Sequence, residues 1–123
     1  MALASKQLQK NHFDTLYVLE YGNEQLWNNL ICEYALTEDQ LEMIFDWVAP
    51  LFVSRWQKLS EEFMRRHADR LDWSTLSIYQ KFSTDFIREN YDKVFWVAMA
   101  ENQELDEKTK REFKEELDWK SKI

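Results

Sequence analysis

Apolar residues recur along this chain in a pattern that repeats every 23 positions. Stepping by 23 from Thr37 lands on Ser60, Ser83 and Asp106, four side chains whose oxygens can cap the free N–H groups that open a helix. Carboxylates follow at once, as Glu38-Asp39, Glu61-Glu62, Asp85 and Glu107, where they complement the positive end of a helix dipole. Basic residues come later in the same segments, as Arg65, Arg66 and Arg70 or Arg88 and Lys93. The apolar positions keep the step: Phe63 with Phe86, Met64 with Ile87 and Leu41, and Leu71 with Val48, Val94 and Leu117. Phe63, Met64 and Leu71 are spaced to share one helical face, so each segment predicts an amphipathic helix.

A second helix is predicted in each period. Asp72 and Asp118 would cap it, with Ala49 and Phe95 at the equivalent sites. The next residue is Trp73, Trp96 or Trp119, and in one period Pro50, which is favoured where a helix begins. Stepping back from Pro50 gives Trp27 and a degenerate earlier repeat. Val53, Leu76 and Met99 point inward, and the helix closes with Gln57-Lys58-Leu59, Gln80-Lys81-Phe82 or Gln103-Glu104-Leu105. Helices of about ten residues are marginal alone in water, so neighbours must stabilise one another.

The expected architecture is all-α, with tandem 23-residue helix-turn-helix repeats stacked as a short solenoid or compact bundle in a single domain. Its parts are an N-terminal segment 1–13, a degenerate repeat 14–36, full repeats 37–59, 60–82 and 83–105, and a capping repeat 106–123. In the last repeat Thr109-Lys110 replace the Phe-Ile pair, as a terminal repeat facing water should. The first ten or so residues and the tail Lys120–Ile123 are expected to fray.

Composition agrees with helices throughout. The chain has 123 residues, 45% of them hydrophobic, with one Gly and one Pro, too few for the turns of a β-rich fold or a phosphate-gripping loop. Cys32 cannot form an internal disulfide, and no signal peptide or membrane span is expected, which predicts a cytoplasmic protein. The net charge of −7 works against nonspecific attraction to nucleic acid.

The stretch Leu71–Asn90 resembles a repeat of bacteriophages, large DNA viruses and some bacteria, with the pattern Trp-x-x-Ile/Leu-Ser-x-x-Gln-x-Leu-Ser-x-x-Phe-Ile. Trp73, Leu76, Ser77, Gln80, Ser83, Phe86 and Ile87 carry it. Pro50, Ala100 and Thr109-Lys110 depart from it. The resemblance implies no catalytic activity. It implies a small phage-type accessory protein, of the kind that binds and blocks host machinery such as restriction or CRISPR systems.

The residues themselves offer no catalytic or metal site and call for no cofactor. His12 and His67 are the only histidines, and Glu62 and His67 are five apart rather than the three of a di-iron pair. Trp27, Trp73, Trp96 and Trp119 are read as packing between repeats rather than a platform for bases. Gln57, Gln80 and Gln103 are read as amides that satisfy backbone groups at the turns, with a ligand-contacting ladder as the other reading.

Two features point to binding. Trp47 stands where other repeats have Arg70, Lys93 and Glu116, and Phe52 stands where they have Thr75 and Ala98; with Leu51 they form a candidate interface, covered either by residues 11–36 or by a partner. Residues 83–105 carry five carboxylates against two cations, whereas 60–82 and 106–123 balance. Asp85, Glu89, Asp92, Glu101, Glu104 and Glu107 therefore form a candidate acidic surface, either a solvated face or an imitation of nucleic acid. The expected function is that of a non-enzymatic interaction protein with a protein partner or with itself. A structural module is the runner-up, and nucleic-acid binding through Arg65, Arg66, Arg70 and Arg88 comes third.

Overall fold

The computed structural model describes residues 3–102 and 105–121, with side chains as far as Asp118. The chain is predominantly helical and divides into two compact units, Met1–Leu71 and Asp72–Ile123.

In the first unit a two-residue strand, β1 (Lys6–Gln7), leads into helices α1 (Lys10–Leu19) and α2 (Glu24–Glu33). After strand β2 (Tyr34–Ala35) come α3 (Glu38–Ile44), a 3-10 turn over Phe45–Trp47, α4 (Pro50–Trp56) and α5 (Glu61–Arg66). The second unit holds α6 (Trp73–Tyr79), α7 (Thr84–Glu89), α8 (Trp96–Met99), α9 (Glu107–Glu112) and α10 (Lys114–Ser121).

The four caps act where the 23-residue step puts them. Thr37 accepts from Gln40 N at 3.1 Å and the Gln40 side chain accepts from Thr37 N at 2.9 Å, a full capping box. Ser60 accepts from Phe63 N and Ser83 from Phe86 N, both at 3.1 Å, and Asp106 accepts from Thr109 N at 2.8 Å. Asp72 caps α6 through Thr75 N, and Pro50 opens α4. Ala49 and Phe95 have no capping side chain. Instead their own N–H groups donate to Asn28 Oδ1 at 2.7 Å and Ser77 Oγ at 3.1 Å.

With one glycine available, these short helices end without left-handed residues. His67, Asn90 and Phe113 close α5, α7 and α9 at φ near −110° and ψ near 30°, and among the described residues Gly22 alone takes a positive φ, +75°, in the turn between α1 and α2.

The predicted inward positions form the core. Leu41, Phe63, Met64, Val53 and Ile44 are fully buried in the first unit, and Leu76, Phe86, Ile87 and Met99 in the second. Inside each unit, side chains 24 or 25 positions apart meet. Arg70 pairs with Asp46 at 2.9 Å in the first, and Arg88 grips Glu112 in the second.

Four expectations change. The N-terminus is tied down rather than frayed: β1 pairs in parallel with β2, Ala4 N donates to Trp56 O at 2.8 Å, and Leu8 is buried. The first helix begins at Lys10 and runs through Asp14, so Asp14 opens no repeat, and Trp27 lies inside α2, which Asn23 caps through Leu26 N. Asp118 lies within α10, which crosses it without a break and therefore has no cap there. Thr109 is not polar because it faces water. It is 1% exposed, and its hydroxyl meets that of Thr84 at 2.7 Å in the interior of the second unit.

Candidate functional site

The first unit carries an aromatic cluster that is open to solvent. Tyr17 lies near the end of α1, and Tyr21 lies in the turn that follows it. Both rings reach Trp47 of the 3-10 turn, with centroid distances of 5.6 and 4.5 Å, Tyr21 meeting it edge-on. This is why Trp47 replaces the charged residue of other repeats: α1 lies against it, and the indole is half-buried. The covering is incomplete. Tyr21 remains 69% exposed and Val18 75%, while Leu51 and Phe52, on the first turn of α4, are 47% and 36% exposed. Of the candidate interface Trp47, Leu51 and Phe52, Trp47 thus comes to lie beside Tyr17 of α1 and Tyr21 of the turn after it, which periodicity alone did not bring to it.

Charge around this cluster is one-sided. Between Lys10 and Arg55 the chain has no lysine or arginine and eight carboxylates: Asp14, Glu20, Glu24, Glu33, Glu38, Asp39, Glu42 and Asp46. Summing charge repeat by repeat from Ser60 onward passes over this stretch, although composition alone reveals it. Of these carboxylates, Asp14 pairs with Lys10, Glu42 with Arg66 and His67, and Asp46 with Arg70, and the acidic surface expected over Asp85–Glu107 is likewise partly neutralised. Asp85 pairs with Arg88, whose guanidinium also takes both oxygens of Glu112, and Glu107 reaches Lys110 at 3.5 Å. The Arg88 pair holds the Glu112 carboxyl below its usual range and raises Arg88. Glu89, Asp92 and Glu101 are exposed, and Glu104 lies outside the described residues.

The arginines offered as a phosphate-binding cluster are also engaged. Arg65 reaches Glu61 at 3.8 Å, Arg66 reaches Glu42 and Glu62 at 3.3 and 3.1 Å, and Arg70 pairs with Asp46 while lying over the Phe45 ring at 4.5 Å. His67 is held by structure. Its Nε2 lies 2.5 Å from Glu42 Oε1, and its ring rests against Phe45 and Phe63. The hydrogen bond from His67 is the main reason the Glu42 carboxyl sits below its ordinary value. Burial pushes the half-buried Cys32 thiol up, away from the reactive thiolate. No cluster of three or more metal-ligating side chains occurs among the described residues, and none of their helices is long and apolar enough to cross a membrane.

The repeated amide works inside the fold. Gln57 is 1% exposed and makes three hydrogen bonds to the chain 21 to 26 residues earlier: it accepts from Leu36 N and donates to Ile31 O and Tyr34 O. Gln80 is equally buried. Gln103 lies outside the described residues. Asn102 Nδ2 donates to Ser77 O at 2.7 Å and Gln80 O at 2.9 Å, the carbonyls 23 positions beyond Ser54 and Gln57. Trp27, Trp73 and Trp96 are buried, which suits packing rather than base stacking, and the Trp119 side chain is outside the described residues. Comparison with protein-family models, curated proteins and solved structures returns no match.

The arrangement provides packed helices and a partly open aromatic surface in a stretch of chain rich in carboxylates.

Proposed function

We propose that the chain is a non-enzymatic interaction protein: stacked helix pairs, repeated every 23 residues, that hold a preorganised surface against a protein partner. Support for the stacking is the regular placement of the caps and the meeting of side chains 24 or 25 positions apart within each unit. The observation that carries the binding role is the Tyr17–Tyr21–Trp47 cluster, left open with Val18, Leu51 and Phe52. A half-buried tryptophan flanked by exposed tyrosine and aliphatic side chains is the composition of an interface centre.

The phage-type repeat it resembles makes the protein an accessory factor that occludes a host protein in the cytoplasm, such as a defence component. Direct nucleic-acid binding is disfavoured, because Arg65, Arg66, Arg70 and Arg88 already have carboxylate partners.

Crosslinking in the native host cell, followed by capture of the tagged full chain, tests this reading. A single stoichiometric protein partner is the expected result. A monomer by light scattering that crosslinks to no protein would overturn it, and a concentration-dependent oligomer without other partners would favour a structural module.

A further inference from the structure

Inside each unit, segments about one period apart are joined by a side-chain amide and by a charged pair. Gln57 donates to Ile31 O and Tyr34 O and accepts from Leu36 N. Asn102 donates to Ser77 O and Gln80 O, the carbonyls 46 positions beyond Ile31 and Tyr34. In the second unit Arg88 donates to both oxygens of Glu112 at 2.5 and 2.7 Å, and Tyr91 OH donates to Glu116 at 2.6 Å.

Counterparts of these groups recur at the end of the second unit without their partners. Ala100 and Leu105 stand 69 positions beyond Ile31 and Leu36, and Arg111 and Lys114 stand 23 beyond Arg88 and Tyr91. All four line one groove of about 660 Å³, together with Glu101 and Leu117, a size typical of ligand sites. Among the described residues nothing hydrogen-bonds to Ala100 O or Leu105 N. Arg111 and Lys114 likewise have no ion pair among them, whereas the adjacent Lys110 reaches Glu107 at 3.5 Å.

The groove is open because α10 does not break. One period earlier the chain turns at Phe95, whose N–H donates to Ser77 Oγ, and α8 then packs on α6 and leaves Ser77 fully buried. Asp118, 23 positions beyond Phe95, lies inside α10, so that turn is not made and Ala100 stays exposed.

One side of a joint is therefore present, and its other side is specified by the joint already made one period before. It needs an amide for Ala100 O and Leu105 N, and a carboxylate for Arg111 about ten residues on, as Glu112 follows Asn102. A second copy of this chain does not bring that amide in register: Gln57 and Gln80 are buried, and Tyr34 stands at the corresponding place of the first repeat. An inorganic anion meets Arg111 and Lys114 but not the backbone groups.

We propose that this groove receives a helix-turn-helix segment of a partner protein, its first helix ending in a side-chain amide and its second carrying a carboxylate. This goes beyond the interaction reading above, whose evidence lies in the first unit.

The test adds to the isotope-labelled full chain a synthetic peptide with the sequence of residues 94–117, the segment that carries Asn102 and Glu112. The backbone NMR signals of Ala100, Leu105 and Arg111 are expected to shift saturably, with one peptide bound per chain. The peptide forms Asn102→Leu and Glu112→Gln should each bind about tenfold more weakly. Arg111→Glu in the chain, at an exposed residue, should weaken the unsubstituted peptide similarly and regain affinity for the peptide form Glu112→Arg. No shift at these residues, or affinity indifferent to all the substitutions, overturns the proposal. A chain that dimerises by itself in light scattering, and ceases to with Arg111→Glu, gives the groove to a second copy and overturns it equally. In either case the Tyr17–Tyr21–Trp47 surface is untouched, so the interaction reading stands.

Discussion

Gln57 Nε2 and Ile31 O meet at 2.7 Å in the interior of the first unit, 26 positions apart in the chain. The same amide nitrogen reaches Tyr34 O, and its oxygen takes Leu36 N, so one side chain satisfies three backbone groups where β2 leaves α2. Removing it leaves buried donors and acceptors unpaired, which costs more than the hydrogen bonds are worth net. Gln57→Leu should destabilise the chain by about 2–4 kcal/mol in urea unfolding. An unchanged midpoint would return this glutamine to the pool of candidate ligand contacts.

The hydroxyl pair of Thr84 and Thr109 separates the cost of an orphaned group from the worth of a bond. Thr109→Val keeps the volume but strands the Thr84 hydroxyl in the core, at a cost of about 1–2 kcal/mol. Replacing both by valine should restore most of the loss, because no unpaired hydroxyl then remains. A double variant that loses the sum of the two single costs would contradict this.

Glu42 makes acid stability sensitive to one pair. Its carboxyl is held below the ordinary value near 4.5, first by the His67 hydrogen bond and further by Arg66, against a smaller opposing effect of burial. A lowered carboxyl stabilises the fold above its unfolded value, and that stabilisation is lost as pH falls through the folded one. Glu42 is 39% exposed, so the effect is modest, under about 1 kcal/mol. Unfolding free energies measured from neutral pH down to about pH 3 should fall more steeply for the native chain than for Glu42→Gln. Parallel curves would remove Glu42 as a contributor.

Trp47 belongs to the fold as well as to the surface. Tyr17 and Tyr21 rest on it, and both would lose a partner in Trp47→Ala. The half-buried site predicts a loss of about 1–3 kcal/mol, less than for a core tryptophan. Phe52→Ser, at an exposed residue with no ring partner among the described contacts, should leave the melting temperature nearly unchanged. Equal losses from both substitutions would mean that the aromatic cluster is not a packing unit.

Helical class, the four caps and the inward positions were legible in the sequence because each depends on residues close together in the chain. Thr37, Ser60, Ser83 and Asp106 each act on an N–H three positions away. The misread features depend on distant partners. Thr109 looks like a solvent-facing residue until Thr84 is seen opposite it. Asn102 carries no signal in the 23-residue pattern, and its part shows only when Ser77 O and Gln80 O are located beside it. The candidate surface was half legible. Trp47, Leu51 and Phe52 break the repeat pattern visibly, but Val18 belongs to α1 and Tyr21 to the turn after it, and the start of α1 at Lys10 falls outside the 23-residue step.

The strand at the N-terminus gives the first unit an order of assembly. Most of its non-local hydrogen bonds reach back 21 to 26 residues, but Ala4 N bonds to a carbonyl 52 positions ahead, on Trp56. Closing that longer loop has a greater entropic cost and must wait until α4 is in place. The same segment is then the first to detach when the protein breathes, so its amides should exchange with solvent long before those of the helices it clasps.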